Sequence, residues 1–475
     1  MNPGARDAKT PVRDGERALA PKDHFGWGLL ALALLTRLIW VGFVHPPGET
    51  IFSDMARYTE RATLLLSGGA EAGLRSMAWQ SWGTHALLAM CMKLFGSEPP
   101  WTGTGLVWGS MSALSVMMSY RLARRVLDGE GPPSRAAKSV GLIALFWYPH
   151  LAGAGYFLSE TPFMLAMLVL TEACVAMWRG EGAERRAAVA AAACVALRPQ
   201  ALVFMGLAAL LWFVARARGV AENRARAGQL AFVALAVGAT LVFSVVRFEY
   251  YAGYWGGIAE TANMNLTAGR CHNVVTQAFR SQAALERSEA TGSTRDGRRV
   301  SLPGFRLLAT TGDAHPLALR PALGGETIRF VGSIGDPKAH ADIRRQCYAQ
   351  TGVLEQLRYS LVNLSLLWVF NVQWPDAADS DAPRWQLGLS QTFGWIFFIG
   401  LWVPSGLGVA RALRRWRDHP GLALCALQLS SLFAIAAIFF GTIRVRSPYD
   451  PYAFILGVWV IQASLAARKG RNERT

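Results

Sequence analysis

Apolar residues in this chain arrive in blocks of about 20, separated by short polar and mostly basic segments, which is the length a helix needs to cross a bilayer core. The blocks predict membrane-spanning helices near 25–44, 101–121, 139–157, 160–178, 187–197, 200–217, 228–247, 388–410, 421–442 and 449–467. Only Arg198-Pro199 separates the fifth block from the sixth, so the two read as a tight hairpin. Residues 81–96 and 357–371 are apolar too, but counting either as a crossing would put arginines on the wrong side. Both are therefore expected to be juxtamembrane or re-entrant helices on the outer face. The fold class is an all-α polytopic membrane protein of about ten transmembrane helices, with a mixed extramembrane domain of about 100 residues within 248–387.

Composition agrees with the pattern. The chain has 475 residues, 52% hydrophobic and only 17% charged, against about 25% charged in soluble domains. Its mean hydropathy is +0.23. These values exclude a soluble enzyme, a disordered chain and a nucleic-acid-binding module. The formal charge of +16 changes the picture only through its distribution. Segments 1–24, 121–138, 179–186, 216–226, 411–418 and 468–475 hold 25 basic and 11 acidic residues, which supplies +14 of the total. All six fall on one side if the spans alternate, so the positive-inside rule makes both termini cytoplasmic tails and places 45–100 and 248–387 outside. The expected location is the inner (plasma) membrane. The polar start 1–24 has no small-residue cleavage site after the following apolar run and does not read as a signal peptide. The resulting domains are an N-terminal transmembrane module over 25–247, the outer domain 248–387, and a C-terminal transmembrane module over 388–467.

Several chemistry-bearing residues collect on the outer face. A helix through 54–67 puts Asp54, Tyr58 and Arg61 on one stripe. Asp54 is either a helix cap or a carboxylate placed to take a proton from an acceptor. Glu160, after Ser159 and before Pro162, is either a helix-start residue or a functional ionisable group at membrane depth. Arg198 at the hairpin and Arg444 and Arg446 before the last span suit phosphate contact or interfacial snorkelling. Arg37 lies inside the first span and needs an acidic or phosphate partner there. The six cysteines show no metal-ligand spacing. Cys271 and Cys347 are the two in the outer domain, and an oxidising compartment favours a disulfide between them over free thiols. Asp376, Asp379 and Asp381 read as a flexible acidic loop rather than a metal site.

Taken in order, certain pieces resemble the GT-C glycosyltransferases, particularly the family 39 type related to protein O-mannosyltransferases and aminoarabinose transferases. They are Arg37-Leu38, Ser53-Asp54-Met55-Ala56-Arg57-Tyr58, Leu158-Ser159-Glu160-Thr161-Pro162-Phe163, Leu197-Arg198-Pro199-Gln200 and Arg444-Val445-Arg446-Ser447-Pro448-Tyr449. The resemblance covers most of 25–220 and 388–467. Members often carry two neighbouring acids in the first loop; here Met55 follows Asp54 and the next acid is Glu60.

The resemblance implies a GT-C type fold and transfer of a sugar from a polyprenyl-phosphate donor to a lipid, glycan or protein acceptor on the periplasmic or exoplasmic face, with inversion. It makes Asp54 the catalytic base, and Glu160 is expected to be a second catalytic residue. Arg444 and Arg446 are then expected to face the donor phosphate, and Arg37, Tyr58, Arg198 and Tyr449 to contact substrate. The donor comes through the bilayer, so no cofactor, metal or nucleic acid is required, and the cytoplasmic segments contain no glycine-rich phosphate loop. Rival classes are a lipid or polysaccharide transporter or flippase, which predicts inverted repeats, and a surface-polysaccharide polymerase or ligase. The topology itself has a direct check. A reporter that is active only in the cytoplasm should be silent when fused at residue 300 and active at residue 220; activity at 300 would overturn the orientation.

Overall fold

The computed structural model describes residues 23–49, 51, 54–128, 134–220, 227–271, 275–279, 281–291, 297–301, 327–368, 392 and 394–472. The acidic run Asp376, Asp379 and Asp381, most of the 1–24 tail and the end of the 357–371 segment lie outside these residues.

The chain is an integral membrane protein built from helices. The first, α1 (His24–Ile39), runs on through one wider turn to Val44. Asp23 caps it, accepting from Gly26 N at 3.0 Å while receiving Arg124 Nη1 at 2.9 Å. Next come two helices within the first loop 45–100, α2 (Asp54–Ser67) and α3 (Gly83–Phe95), and then α4 (Thr102–Leu127). After α5 (Arg135–Phe146) the backbone extends at Trp147, and a short α6 (Tyr148–Gly153) follows with Pro149 in its first turn. The module closes with α7 (Glu160–Trp178), α8 (Glu184–Leu197), α9 (Ala201–Ala217) and α10 (Ala227–Ala252).

Among the described residues, six helices are long and apolar enough to cross a membrane: His24–Val44, Glu160–Trp178, Ala227–Ala252, Gly394–Arg414, Pro420–Ile438 and Ile443–Lys469. The other expected spans differ for physical reasons. The block 139–157 is not one helix, because Pro149 lacks an N–H and starts a new helix instead of continuing α5. With 12 and 14 residues, α5 and α8 rise only about 18 and 21 Å, short of a bilayer core of ~30 Å. Helix α9 is apolar but has 17 residues. Helix α4 has 26 residues, but its Gly and Ser content dilutes its hydropathy. The hairpin at Arg198 is a corner, since α8 packs against α7 and α10 while α9 packs against the later helix Pro420–Ile438.

Helix α7 is the centre of the bundle: 78% of its apolar stretch is buried inside the protein, against 6% for α10, whose apolar surface is left uncovered by the described residues. Phe163, Leu168, Leu429, Tyr452 and Phe454 join the largest core cluster.

The segment after α10, expected from the charge bias to be the outer segment, contains α11 (Thr261–Arg270), β1 (Val275–Phe279), α12 (Gln282–Thr291), β2 (Gly297–Ser301), β3 (Thr327–Val331) and α13 (Pro337–Ser365). Strand β1 is central, antiparallel to β2 and parallel to β3. Asp336 caps α13 through Lys338 N and Ala339 N. Gly352, at φ 69°, kinks α13 within its length, a conformation that costs glycine little. The remaining helices are α14 (Val403–Arg414), α15 (Pro420–Ile438), the four-residue α16 (Ile443–Arg446) and α17 (Asp450–Asn472).

A disulfide joins Cys271 to Cys347 with the Cα atoms 5.6 Å apart, tying α11 to α13. Replacing both cysteines by serine is expected to cost about 2–5 kcal/mol, seen as earlier melting of the outer segment. An unchanged melting curve would show that the cross-link does not hold this part together.

Candidate functional site

Four separate elements end at one place. Asp54 opens α2, Glu160 opens α7, Arg198 is the corner between α8 and α9, and Arg444 sits in α16. Each is at or beside a helix terminus, where the chain changes direction.

Arg444 links the two acids. Its Nη1 donates to Asp54 Oδ2 at 2.6 Å and its Nε donates to Glu160 Oε1. Arg198 donates through Nη2 to the same Glu160 oxygen and through Nε to Ser159 Oγ at 2.8 Å, with its guanidinium over the Phe163 ring. Two carboxylates and two guanidiniums thus make a neutral cluster. Its members are not equally open. The Glu160 side chain is 4% exposed, whereas that of Asp54 is 31% exposed and is the acid a substrate can reach. Burial pushes the Asp54 carboxyl up, but Arg444, with Arg198 and Arg61, more than reverses this and holds it below the ordinary carboxylate range. Tyr58, one turn further along α2, is buried beside the cluster. Burial first and the Asp54 charge second keep its phenol protonated. Tyr449 lies near Arg198, its hydroxyl accepting from Gln200 Nε2 at 3.3 Å.

A second group lies next to this cluster. Arg61 is 1% exposed, donating to Ser76 O and Gln80 Oε1, each at 2.6 Å. Arg247, at the end of α10, donates to Met77 O and lies 3.4 Å from His85 Nε2. Among the described residues neither guanidinium has a carboxylate in ion-pair reach. Arg247 Nη1, His85 Nδ1 and Thr84 Oγ1 are buried without a hydrogen-bond partner among them. Burial pulls Arg61 down to about 10. Burial and the two guanidiniums push His85 well below its usual value, so it stands there as a neutral ring. The pair is a buried excess of positive charge.

Asp54, Glu160, Arg198 and Arg444 are brought together, with Tyr58 and Tyr449 adjacent. Arg446 is not with them. It is 1% exposed and pairs with Asp450 at 3.1 Å, facing away from Arg444. Nor is Arg37, which is fully buried and donates to Ala144 O at 3.3 Å and to Thr36 Oγ1. The partner it needed is a backbone carbonyl, not an acid. Sequence reasoning missed Arg247, His85, Gln80 and Asp450. Arg61 had a signal, since it lies on the stripe of Asp54 and Tyr58. Asp450 also had one, four residues after Arg446. Arg247 passed as the basic end of an apolar run. Among the described residues no group of three His, Cys, Asp or Glu side chains is arranged to hold a metal ion.

No protein-family model matches the chain, and no curated protein matches it. It is similar to two crystal structures of ArnT from Cupriavidus metallidurans. One is bound to undecaprenyl phosphate, with 14% identity, 92% of this chain and 78% of that one covered, and a TM-score of 0.39. The other is in the apo state, with 14% identity, 92% and 77% coverage and a TM-score of 0.35.

The cluster sets a difference in stability. Glu160→Ala leaves two guanidiniums without their shared acid in a buried place and is expected to cost about 3–5 kcal/mol. Asp54→Ala, at the open end, is expected to cost no more than about 1 kcal/mol. Thermal unfolding in detergent measures both, and equal losses would contradict this division.

Proposed function

We propose that the protein is a membrane glycosyltransferase that moves a sugar from a polyprenyl-phosphate donor to an acceptor at the outer membrane face, with Asp54 as general base. The observation that carries this reading is the pairing of a neutral cluster, most open at Asp54, with the cations Arg61 and Arg247 beside it, which have no carboxylate partner among the described residues. The neutral part suits proton transfer and the cationic part suits a lipid phosphate.

In the reaction, the acceptor hydroxyl or amine attacks the anomeric carbon and forms the new glycosidic bond. The bond from that carbon to the phosphate oxygen breaks, its electron pair leaving with the polyprenyl phosphate, and a single displacement inverts the centre. The acceptor proton passes to Asp54. Arg444 occupies Oδ2, so Oδ1 is the oxygen that receives it. Arg444 and Arg198 are already matched by carboxylates, so the phosphate charge falls to Arg61 and Arg247. Preorganised cations are most effective where water is scarce. This moves the phosphate contact away from Arg444 and Arg446, where position in the sequence had put it. Glu160 holds the two arginines in place rather than taking a proton. With Arg444 filling the space between the two acids, the reaction needs no metal ion. In this reading both termini are cytoplasmic and the outer segment covers the acceptor side.

The test is transfer of labelled sugar from polyprenyl-phosphate donors in membranes that contain the protein. Asp54→Asn should lower kcat by about 10²–10⁴-fold with the protein still folded, Arg247→Met should raise the donor KM, and a chelator should change nothing. Because Asp54 lies below the ordinary carboxylate range, it stays ionised as pH falls through about 4, and kcat/KM should hold its plateau there and drop only below it. Undiminished transfer by Asp54→Asn would remove Asp54 from the chemistry.

A further inference from the structure

Arg446, the arginine that turns away from the cluster, lies in a buried polar network with no surface to meet a substrate. Asp450 is fully buried, one helical turn after Arg446. Its Oδ1 lies 3.1 Å from Arg446 Nε, and its Oδ2 accepts from Trp147 Nε1 at 2.7 Å. His150 Nε2 is 2.9 Å from Ser447 O and 4.0 Å from Asp450 Oδ2. Arg446 Nη1 donates to Leu367 O at 3.0 Å, and its guanidinium lies over the Trp402 ring. At the near end Thr442 Oγ1 accepts from Val445 N at 3.1 Å.

We propose that the Arg446–Asp450 ion pair, gripped by Trp147 and His150, is a positioning unit that holds the 442–450 turn so that Arg444 reaches Asp54 and Glu160 together. Residues two apart on a helix point to different sides, so when Arg446 is drawn toward Asp450, Arg444 is turned to the acids. A helix of four residues has almost no internal hydrogen bonding of its own and cannot fix this direction alone. An ion pair with side-chain exposures of 2% and 0% is a poor source of stability, since desolvation offsets its attraction; what such a pair supplies is a specific geometry. The grip comes from the break between α5 and α6, where Trp147 is extended and Pro149 starts the next helix.

This inference rests on the reading of Asp54 as the base, but its test does not require activity. A water-soluble carbodiimide reacts with protonated carboxyls, so the pH dependence of Asp54 labelling, read by peptide mass spectrometry on the full chain, reports its titration. Asp54 faces Arg444, Arg198 and Arg61 as cations and Glu160 and Tyr58 on the opposing side. With Arg444 misaligned, burial dominates, and the labelling midpoint should rise by about one pH unit in Asp450→Asn. Trp147→Phe, which removes only the indole donor, should shift it less and in the same direction, and it takes the place of Asp450→Asn if that variant does not fold. Arg446→Lys keeps the charge and should stay nearest the wild type. In the transfer assay the same variants should lower kcat and leave the donor KM unchanged. A folded Asp450→Asn or Trp147→Phe with the wild-type midpoint would overturn the proposal. Absence of transfer by the wild type with every donor would overturn the glycosyltransferase reading and leave the labelling result to decide the positioning role.

Discussion

A guanidinium taken out of water has to be met by acceptors, and Arg444 is met by two acids from distant parts of the chain. Much of the architecture follows from that requirement. Asp54 and Glu160 reach it because α2 and α7 both begin there. Arg198 reaches Glu160 because α8 stops short of a full crossing and turns. Short helices and corners, which look like defects in a spanning bundle, are what bring charged termini to one level. Irregular backbone at membrane depth is tolerated where it is enclosed by protein, and α7, the most buried helix, provides that enclosure.

The second consequence is a separation of charge. Had Arg61 and Arg247 also been matched by acids, the whole region would be neutral and a phosphate would meet no net attraction. Had Arg444 and Arg198 lacked acids, Asp54 would stand as one carboxylate among four guanidiniums. The observed partition matches Arg444 and Arg198 with acids and leaves the buried pair Arg61 and Arg247 without one among the described residues. The 75–80 segment serves both sides of this arrangement. Its Ser76, Met77 and Gln80 hold Arg61 and Arg247, while Ala78 O and Trp79 O accept from Glu260 N and Thr261 N of the outer segment. Arg75 adds an ion pair to Glu260 at 3.3 Å. The outer segment is thus connected to the cationic pair through one short stretch of chain.

Hydropathy showed α7 and α10 closely, because an uninterrupted apolar run has few other solutions, and the Ser159-Glu160-Thr161-Pro162 start was readable from helix-end chemistry. It also grouped Asp54, Tyr58 and Arg61. Hydropathy averages failed at 139–157, where a run of the right length is broken at one residue by Pro149. The block at 101–121 was visible and is continuous in α4, although small residues that pack against neighbouring helices lower its hydropathy. The site was half visible for a related reason. Each charged residue could be assigned to the outer face, yet which charges would meet depended on the directions of side chains from unconnected elements. Arg444 and Arg446 looked equivalent as neighbours of the last span. Only the spacing of two, and an acid four residues after the second, separate their roles.

That pair shows why a buried charge does not by itself mark a substrate contact. Arg37 and Arg446 are 0% and 1% exposed, and their charges are met inside the protein, one by a carbonyl and one by Asp450. The arginines paired with the proposed base and its neighbouring acid are the less enclosed Arg198 and Arg444, with side chains 14% and 21% exposed. A carboxylate that takes a proton from an acceptor needs a fixed direction and an open side, and a short chain segment supplies the fixed direction only if a neighbouring residue is sacrificed to hold it. In the 442–450 turn Arg446 is spent on anchorage and Arg444 is left facing the acids, so the least accessible ion pair in the structure and the most accessible acid of the site belong to one mechanical arrangement.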